Sequence, residues 1–227
     1  MINYLKKYRP NVEIQNNLEG IDVDKIPKFW IEIFENKDFD SKKNYVIKSF
    51  KKNHSVVLKN TIMYLVDNLI AVNLINNDNE YSIIYTIKNK LGNHVYYEGK
   101  NPKNKIVDDR LLVVWEKLPI LLRDFYDNLH NGWYYYASES MGLVNTESII
   151  NLSDLEWGIL EEITSPLRIN LESSYSFFSN GMGSYLVIDT SNLDTQKCCL
   201  WSAKQFPKYD LNFWDILDEW IMLGIEG

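Results

Sequence analysis

The side chains in this sequence that could take part in catalysis or metal binding are three histidines, one adjacent pair of cysteines and a group of carboxylates. His54, His94 and His130 are far apart and lack the spacing of metal ligands, so we expect neither a metal site nor a cofactor. On a strand, Cys198 and Cys199 would point to opposite faces, which predicts free thiols packed as small apolar residues, as in a reducing cytoplasm. Soft-metal binding is the alternative. A cysteine nucleophile would need a base, and His130 is its only candidate. Because His130 stands next to a helix end, it is predicted instead to interact with the terminal carbonyls of that helix.

Six carboxylates and three aromatic residues lie between residues 135 and 162. Neighbouring Glu161 and Glu162 diverge on a helix, so they favour a solvated acidic face over an acid–base pair. The sharper hypothesis is a patch that binds a cationic partner, with aromatic anchors. Its predicted residues are Glu139, Glu147, Asp154, Glu156, Trp157, Glu161, Glu162 and Tyr135. Core packing is the alternative for the aromatic residues, and strand alternation places Tyr134 and Tyr136 inside and Tyr135 outside.

Residues 174–201 predict an antiparallel meander of three strands. Apolar, β-prone runs at 175–178, 185–188 and 197–201 alternate with turn-forming clusters. Asn180-Gly181 is a strong hairpin signal, because both residues tolerate positive φ. Gly181-x-Gly183 lies between two strands rather than between a strand and a helix, so it predicts a turn and not a dinucleotide site.

Charge is unevenly distributed along the 227 residues. Residues 1–110 contain 18 Lys and Arg against 14 Asp and Glu, whereas residues 111–227 contain 6 against 17. The acidic second part argues against nucleic acid as a partner and favours a basic protein, or it serves only to keep the chain in solution. No apolar run is long enough for a membrane span, and the first residues do not resemble a signal peptide.

The order of elements indicates two parts. We expect residues 1–105 to be a helical N-terminal extension, with helices at 24–35 and 55–74, although 80–87 could be strand or helix. Residues 106–227 are expected to form an α+β domain. An amphipathic helix at 210–224 closes it and directs Asp215, Asp218 and Glu219 towards water, with Gly224 at its end.

Residues 108–224 carry a succession of motifs. Leu118-Pro119 opens a helix, and the run from Asp124 to Gly132 (DFYDNLHNG) closes it. An Asn-Gly turn between strands then precedes Trp201 and a final helix with Phe213-Trp214. This order resembles the Smi/Knr family, also called the SUKH superfamily. Two departures are Gly132-Trp133, where the family often has Gly-Gly, and the first hundred residues, which have no counterpart.

The resemblance implies an α+β fold in which an antiparallel or mixed sheet packs with helices. Bacterial members of the family resemble immunity proteins that neutralise contact-delivered toxins, many of them nucleases, and fungal members resemble regulators of cell-wall glucan synthesis. We therefore expect a cytoplasmic, non-enzymatic immunity protein, a monomer or weak dimer, that binds a cognate basic toxin domain but neither nucleic acid nor membrane. The alternatives are a regulatory or scaffold protein and a hydrolase with two converging carboxylates.

Overall fold

The computed structural model describes residues 1–15, 17–104, 108–192 and 197–227, which fold as helices against an antiparallel sheet. This architecture confirms the predicted α+β class. The helices are α1 (Ile2–Leu5), α2 (Lys28–Glu35), α3 (Phe39–His54), α4 (Lys59–Asn68), α5 (Asp109–Trp115), α6 (Ile120–Asp124) and α7 (Phe213–Glu226). The last turn of α6 continues as a π-helical turn, Phe125–Leu129.

The strands are β1 (Glu13–Gln15), β2 (Leu69–Asn77), β3 (Glu80–Lys88), β4 (His94–Lys100), β5 (Trp133–Tyr135), β6 (Ser140–Leu143), β7 (Ile150–Asn151), β8 (Ser174–Ser179), β9 (Ser184–Asp189), β10 (Lys197–Ser202) and β11 (Lys208–Asn212). In the described ranges they join one sheet in the order β1-β2-β3-β4-β5-β6-β8-β9-β10-β11, and β7 pairs with β8. All pairings are antiparallel, and the strand order shows that strands consecutive in the sequence are mostly neighbours in the sheet.

One face of the sheet is covered by α2 to α7 and holds the largest core. Strand residues that alternate towards this face, such as Tyr85, Tyr97 and Trp133, pack against helix residues such as Trp30 and Phe50. Burial of aromatic area of this size is the main driving force for packing the helices on the sheet.

The other face is covered by two irregular segments. At the β2–β5 end, residues 1–12 place Leu5 and Val12 over buried strand residues. At the β8–β11 end, residues 152–171 form a second cover. Tyr134 and Tyr136 are buried, as the strand alternation predicts. Tyr135, predicted to lie outside, is half-buried against the core of the helical face, because both faces of the sheet are covered.

Residues 1–105 contain more than the predicted helical extension, because they contribute β1 to β4. The helical spacing seen in 55–74 ends at Asn68, where the chain continues as β2, and residues 80–87 are strand. Ile83 and Ile84 are both buried, one on each face of the sheet. A strand covered on both faces shows no alternation of apolar and polar residues, so its periodicity resembles that of a buried helix.

The predicted meander is confirmed as β8, β9 and β10. Ser179 pairs with Tyr185, and Leu186 pairs with Leu200. The β8–β9 turn is longer than a two-residue hairpin turn, with Gly181 and Gly183 at φ of 74° and 84°. Asn180 Oδ1 accepts hydrogen bonds from two backbone N–H groups of this turn, so its side chain shapes the loop.

The C-terminal helix differs from its prediction in its bounds and at two residues, since residues 210–212 belong to β11 and the helix continues to Glu226. Gly224 lies inside α7 and not at its end. A glycine is needed at this position because the hydroxyl of Tyr97 and the side chain of Met141 approach so closely that a Cβ would collide with them. Asp218, predicted to face water, is buried at 5% exposure and contacts the start of α4. The polar face of this helix therefore includes an internal contact.

Candidate partner-binding surface

Most of the predicted binding residues lie in the connection between β6 and β8. We call residues 145–173 the acidic segment, since it contains six carboxylates and one basic residue, Arg168. It comprises four 3₁₀ turns and the short strand β7. Because such turns bond few of their own backbone groups, the segment depends on side chains for its shape.

Asparagine side chains fix three of these turns. Asn145 accepts a hydrogen bond from Ser148 N, Asn151 from Ser153 N and Asn170 from Glu172 N, at 3.0 Å in each case. Asn151 also donates to the carbonyl of Glu172 at 2.8 Å, which joins two distant turns. The acidic segment is therefore held as a defined surface.

An apolar cluster attaches the acidic segment to the sheet. Trp157 lies in this cluster at 6% exposure, its ring centroid 5.6 Å from that of Trp201, and its indole N–H donates to Leu152 O at 2.7 Å. Trp157 is thus core and not the predicted aromatic anchor for a partner, because burial removes its ring from contact with other molecules. Its contacts attach the acidic segment, with its carboxylates, to the sheet.

The five predicted carboxylates of the acidic segment are all exposed, and four of them are Glu147, Glu156, Glu161 and Glu162. Among the described residues none of these four forms an ion pair or a side-chain hydrogen bond. Asp154 differs, because Arg110 donates to both of its oxygens at 2.8 and 2.7 Å and lowers the pKa of the carboxyl. Glu172, which is not among the predicted residues, is exposed and equally without a side-chain partner in the described ranges, so the segment carries five unpaired carboxylates and one that is paired.

The structure separates Glu139 and Tyr135 from this group. Glu139 lies in the β5–β6 turn and accepts a hydrogen bond from Arg9 at 2.6 Å, and the Tyr135 hydroxyl lies 2.5 Å from that of Tyr4. Both contacts are with the N-terminal segment. The predicted patch is therefore divided between an acidic segment and a pair of residues that hold residues 1–12.

Arg9 also forms a buried ion pair that the sequence analysis did not identify. Its guanidinium donates to both oxygens of Glu98, at 2.7 and 2.6 Å, and lies 4.6 Å from the ring centroid of Tyr136. Glu98 has no exposed surface and also accepts from Ser82 Oγ. The only sequence signal is the carboxylate of Glu98 directly after Tyr96 and Tyr97, in a strand whose other charged residue is the terminal Lys100.

The cysteines and the histidine considered as catalytic groups are buried core residues. Cys198 and Cys199 are free and buried on opposite faces, as expected, and burial raises the pKa of each thiol to about 12, which opposes formation of the nucleophilic thiolate. His130 is fully buried and bonds Tyr85 rather than the helix carbonyls. No group of metal-binding side chains is found in the portion of the chain that the structure describes.

A polar pocket of about 300 Å³ lies where β9, β10 and β11 meet the end of the acidic segment. Arg168 pairs with Asp210 there and stacks 5.1 Å from the ring centroid of Tyr209. Asp189 is engaged by Asn170 N and Ser173 Oγ, and these bonds lower its pKa. The carboxylates of this pocket therefore have internal partners, unlike those of the acidic segment other than Asp154.

Across the described ranges, no helix has both the length and the apolar character required to cross a bilayer. Comparison with models of known families, with curated proteins and with solved structures gives no match to this chain.

Proposed function

We propose that this chain is a cytoplasmic, non-enzymatic immunity protein of the Smi/Knr (SUKH) type, which binds a cationic toxin domain, such as a nuclease, and blocks its active site. One observation carries the proposal: the acidic segment presents five exposed carboxylates that have no ion pair among the described residues, on a backbone fixed by asparagine bonds and by Trp157. The motif order of residues 108–224 supports the same assignment.

The chemistry of the toxin explains why such a surface would neutralise it. A nuclease must attract a phosphate backbone, so the surface around its active site is cationic. Carboxylates fixed in space compete for those cations, and complementary fields accelerate encounter. A surface fixed before binding also loses less conformational freedom on association.

The test is the association rate with the C-terminal domain of a toxin encoded beside this protein. Glu161→Lys combined with Glu162→Lys should slow association about tenfold at low ionic strength and flatten its salt dependence, because steering by charge is lost. Stopped-flow fluorescence at several salt concentrations measures both quantities.

The matched control is Glu35→Lys combined with Asp67→Lys. Both residues are exposed on α2 and α4, on the opposite face of the sheet, and the change in net charge is the same. An equal loss of rate in both variants would mean that net charge, and not the acidic segment, guides the partner. Absence of binding to any such toxin domain would favour the regulatory or scaffold alternative.

A further inference from the structure

A groove lies between α4 and α7 on the helical side of the molecule. Its volume is about 680 Å³, and its walls are the turn that joins α3 to α4 and the outward face of α7. The lining residues are Val56, Val57, Lys59, Asn60, Asp215, Asp218, Glu219 and Met222. This groove is separate from the acidic segment, which covers the other face of the sheet.

One part of the groove is apolar and faces solvent. Val56, in the turn before α4, is 85% exposed, and Val57 and Met222 beside it are partly buried. Met63 and Leu223, on the same two helices, are also exposed. A valine this exposed contributes little to the core, and neighbouring exposed apolar side chains are typical of interaction sites.

The other part of the groove is acidic. Asp215 and Glu219 are exposed and one helical turn apart on α7, and neither has an ion pair within the described chain. Like charges at this spacing repel each other, so a bound cation would relieve the repulsion. Lys59, which also lines the groove, offsets one of these two negative charges.

The third carboxylate of the groove, Asp218, is not available to a ligand. Its oxygens accept hydrogen bonds from the backbone N–H groups of Asn60 and Thr61, each at 2.9 Å, and from Thr61 Oγ1 at 2.6 Å. This carboxylate is therefore committed to the start of α4, and Asp215 and Glu219 remain.

We propose that this groove binds a lysine or arginine side chain that a partner protein presents. The aliphatic stem of such a side chain would pack on Val56 and Met222, and its charged head would reach Asp215 and Glu219. Long basic side chains combine an apolar stem with a cationic end, which matches both parts of the groove. The inference goes beyond the immunity function, because a partner bound here would leave the acidic segment open.

The probe is a short blocked peptide with one arginine between leucines, titrated into the ¹⁵N-labelled full chain. We expect saturable chemical-shift changes at Val56, Asn60 and residues 215–222. The same peptide with citrulline in place of arginine has nearly the same shape without the charge. It should bind at least about tenfold more weakly, since hydrogen bonds to charged groups are worth more than neutral ones. Equal binding of the two peptides would overturn the proposal.

Substitutions in the chain complete the test. Asp215→Asn with Glu219→Gln should weaken arginine-peptide binding about tenfold, whereas Glu161→Gln with Glu162→Gln should leave it unchanged. Val56→Ser, at an exposed position where folding is not at risk, should weaken it as well. Shifts that do not saturate, or an equal loss in the Glu161/Glu162 variant, would overturn the proposal. The toxin domain takes no part, so this result is independent of the immunity function.

Discussion

His130 shows how a residue that resembles a helix-end cation becomes a core residue. Its ring lies among Trp30, Phe50 and Tyr85, and the Tyr85 hydroxyl is 2.6 Å from its Nε2. A Cβ on Gly99 would lie 2.5 Å from the ring, so glycine makes room for it. Burial lowers the pKa of His130 to about 3. The histidine is therefore neutral in the folded state and takes up a proton more readily when the chain unfolds.

This difference in pKa predicts that the free energy of unfolding decreases as the pH falls below neutral. The pKa rises from about 3 in the folded chain to about 6.5 in the unfolded chain, so the stabilisation is complete above pH 6.5 and is lost as pH falls towards 3. Within that window one such group contributes a slope of about 1.4 kcal/mol per pH unit. His130→Gln should reduce the slope of the unfolding free energy, measured by urea titration from pH 6.5 to pH 4, by about this amount.

His94→Gln is the matched control, because His94 is exposed on the same sheet. His54 is buried and has a lowered pKa, also from burial, so part of the acid slope should persist in the His130 variant. An unchanged slope in His130→Gln, or an equal loss in both substitutions, would contradict this account.

Residue-level prediction from the sequence succeeded where one element decides the outcome. Strand pleat alone places Tyr134 and Tyr136 inside and sends Cys198 and Cys199 to opposite faces. Burial of Glu98 was not predictable in this way, because its partner Arg9 is 89 residues away. A buried charge is tolerated only with such a partner, and no local pattern identifies it.

At the junction of α4 and α7, a helix receives its N-terminal cap from another element. Leu58 precedes α4 and has no side chain that can cap it. Asp218, on α7, supplies the missing acceptor from 157 residues away by binding the N–H and hydroxyl of Thr61. A cap supplied by another element makes the start of α4 depend on the docking of α7.

Asp218→Ala should therefore destabilise the protein by about 2–3 kcal/mol, because buried donors at the start of α4 lose a charged acceptor. Urea unfolding measures the change. Asp215→Ala, an exposed carboxylate on the same helix, is the control and should cost less than about 1 kcal/mol. Equal costs for the two substitutions would show that Asp218 contributes only through the charge of α7.

Local signals also explain which elements were predicted. The meander β8–β10 was identified because its turns carry Asn180, Gly181 and Gly183, whose conformations are set by residue type. The boundary between α4 and β2 at Asn68 was missed, since apolar residues continue through it and only pairing of β2 with β3 makes it a strand.

At the scale of the molecule, the sheet crosses the predicted boundary at residue 105. β4 pairs with β5, so that Tyr97 lies opposite Tyr135 and Gly99 opposite Trp133. The Tyr97 hydroxyl donates to Ile221 O on α7, and Arg9 bonds both Glu98 and Glu139. Composition changes near residue 105, but these contacts join the two parts through one core.

We therefore expect the chain to unfold in one cooperative transition. Amide protons of β3 and β9, on either side of residue 105, should exchange with the same free energy of global opening in native-state hydrogen exchange. Residues 106–227 alone should fail to give a dispersed NMR spectrum, because without β4 the three-residue strand β5 becomes an edge and Trp133 loses the stacking of Tyr97, at 4.6 Å between ring centroids. If the fragment instead shows a dispersed spectrum and its own cooperative transition, then residue 105 is a domain boundary despite the shared sheet, and the first 105 residues have docked onto a domain that folds without them.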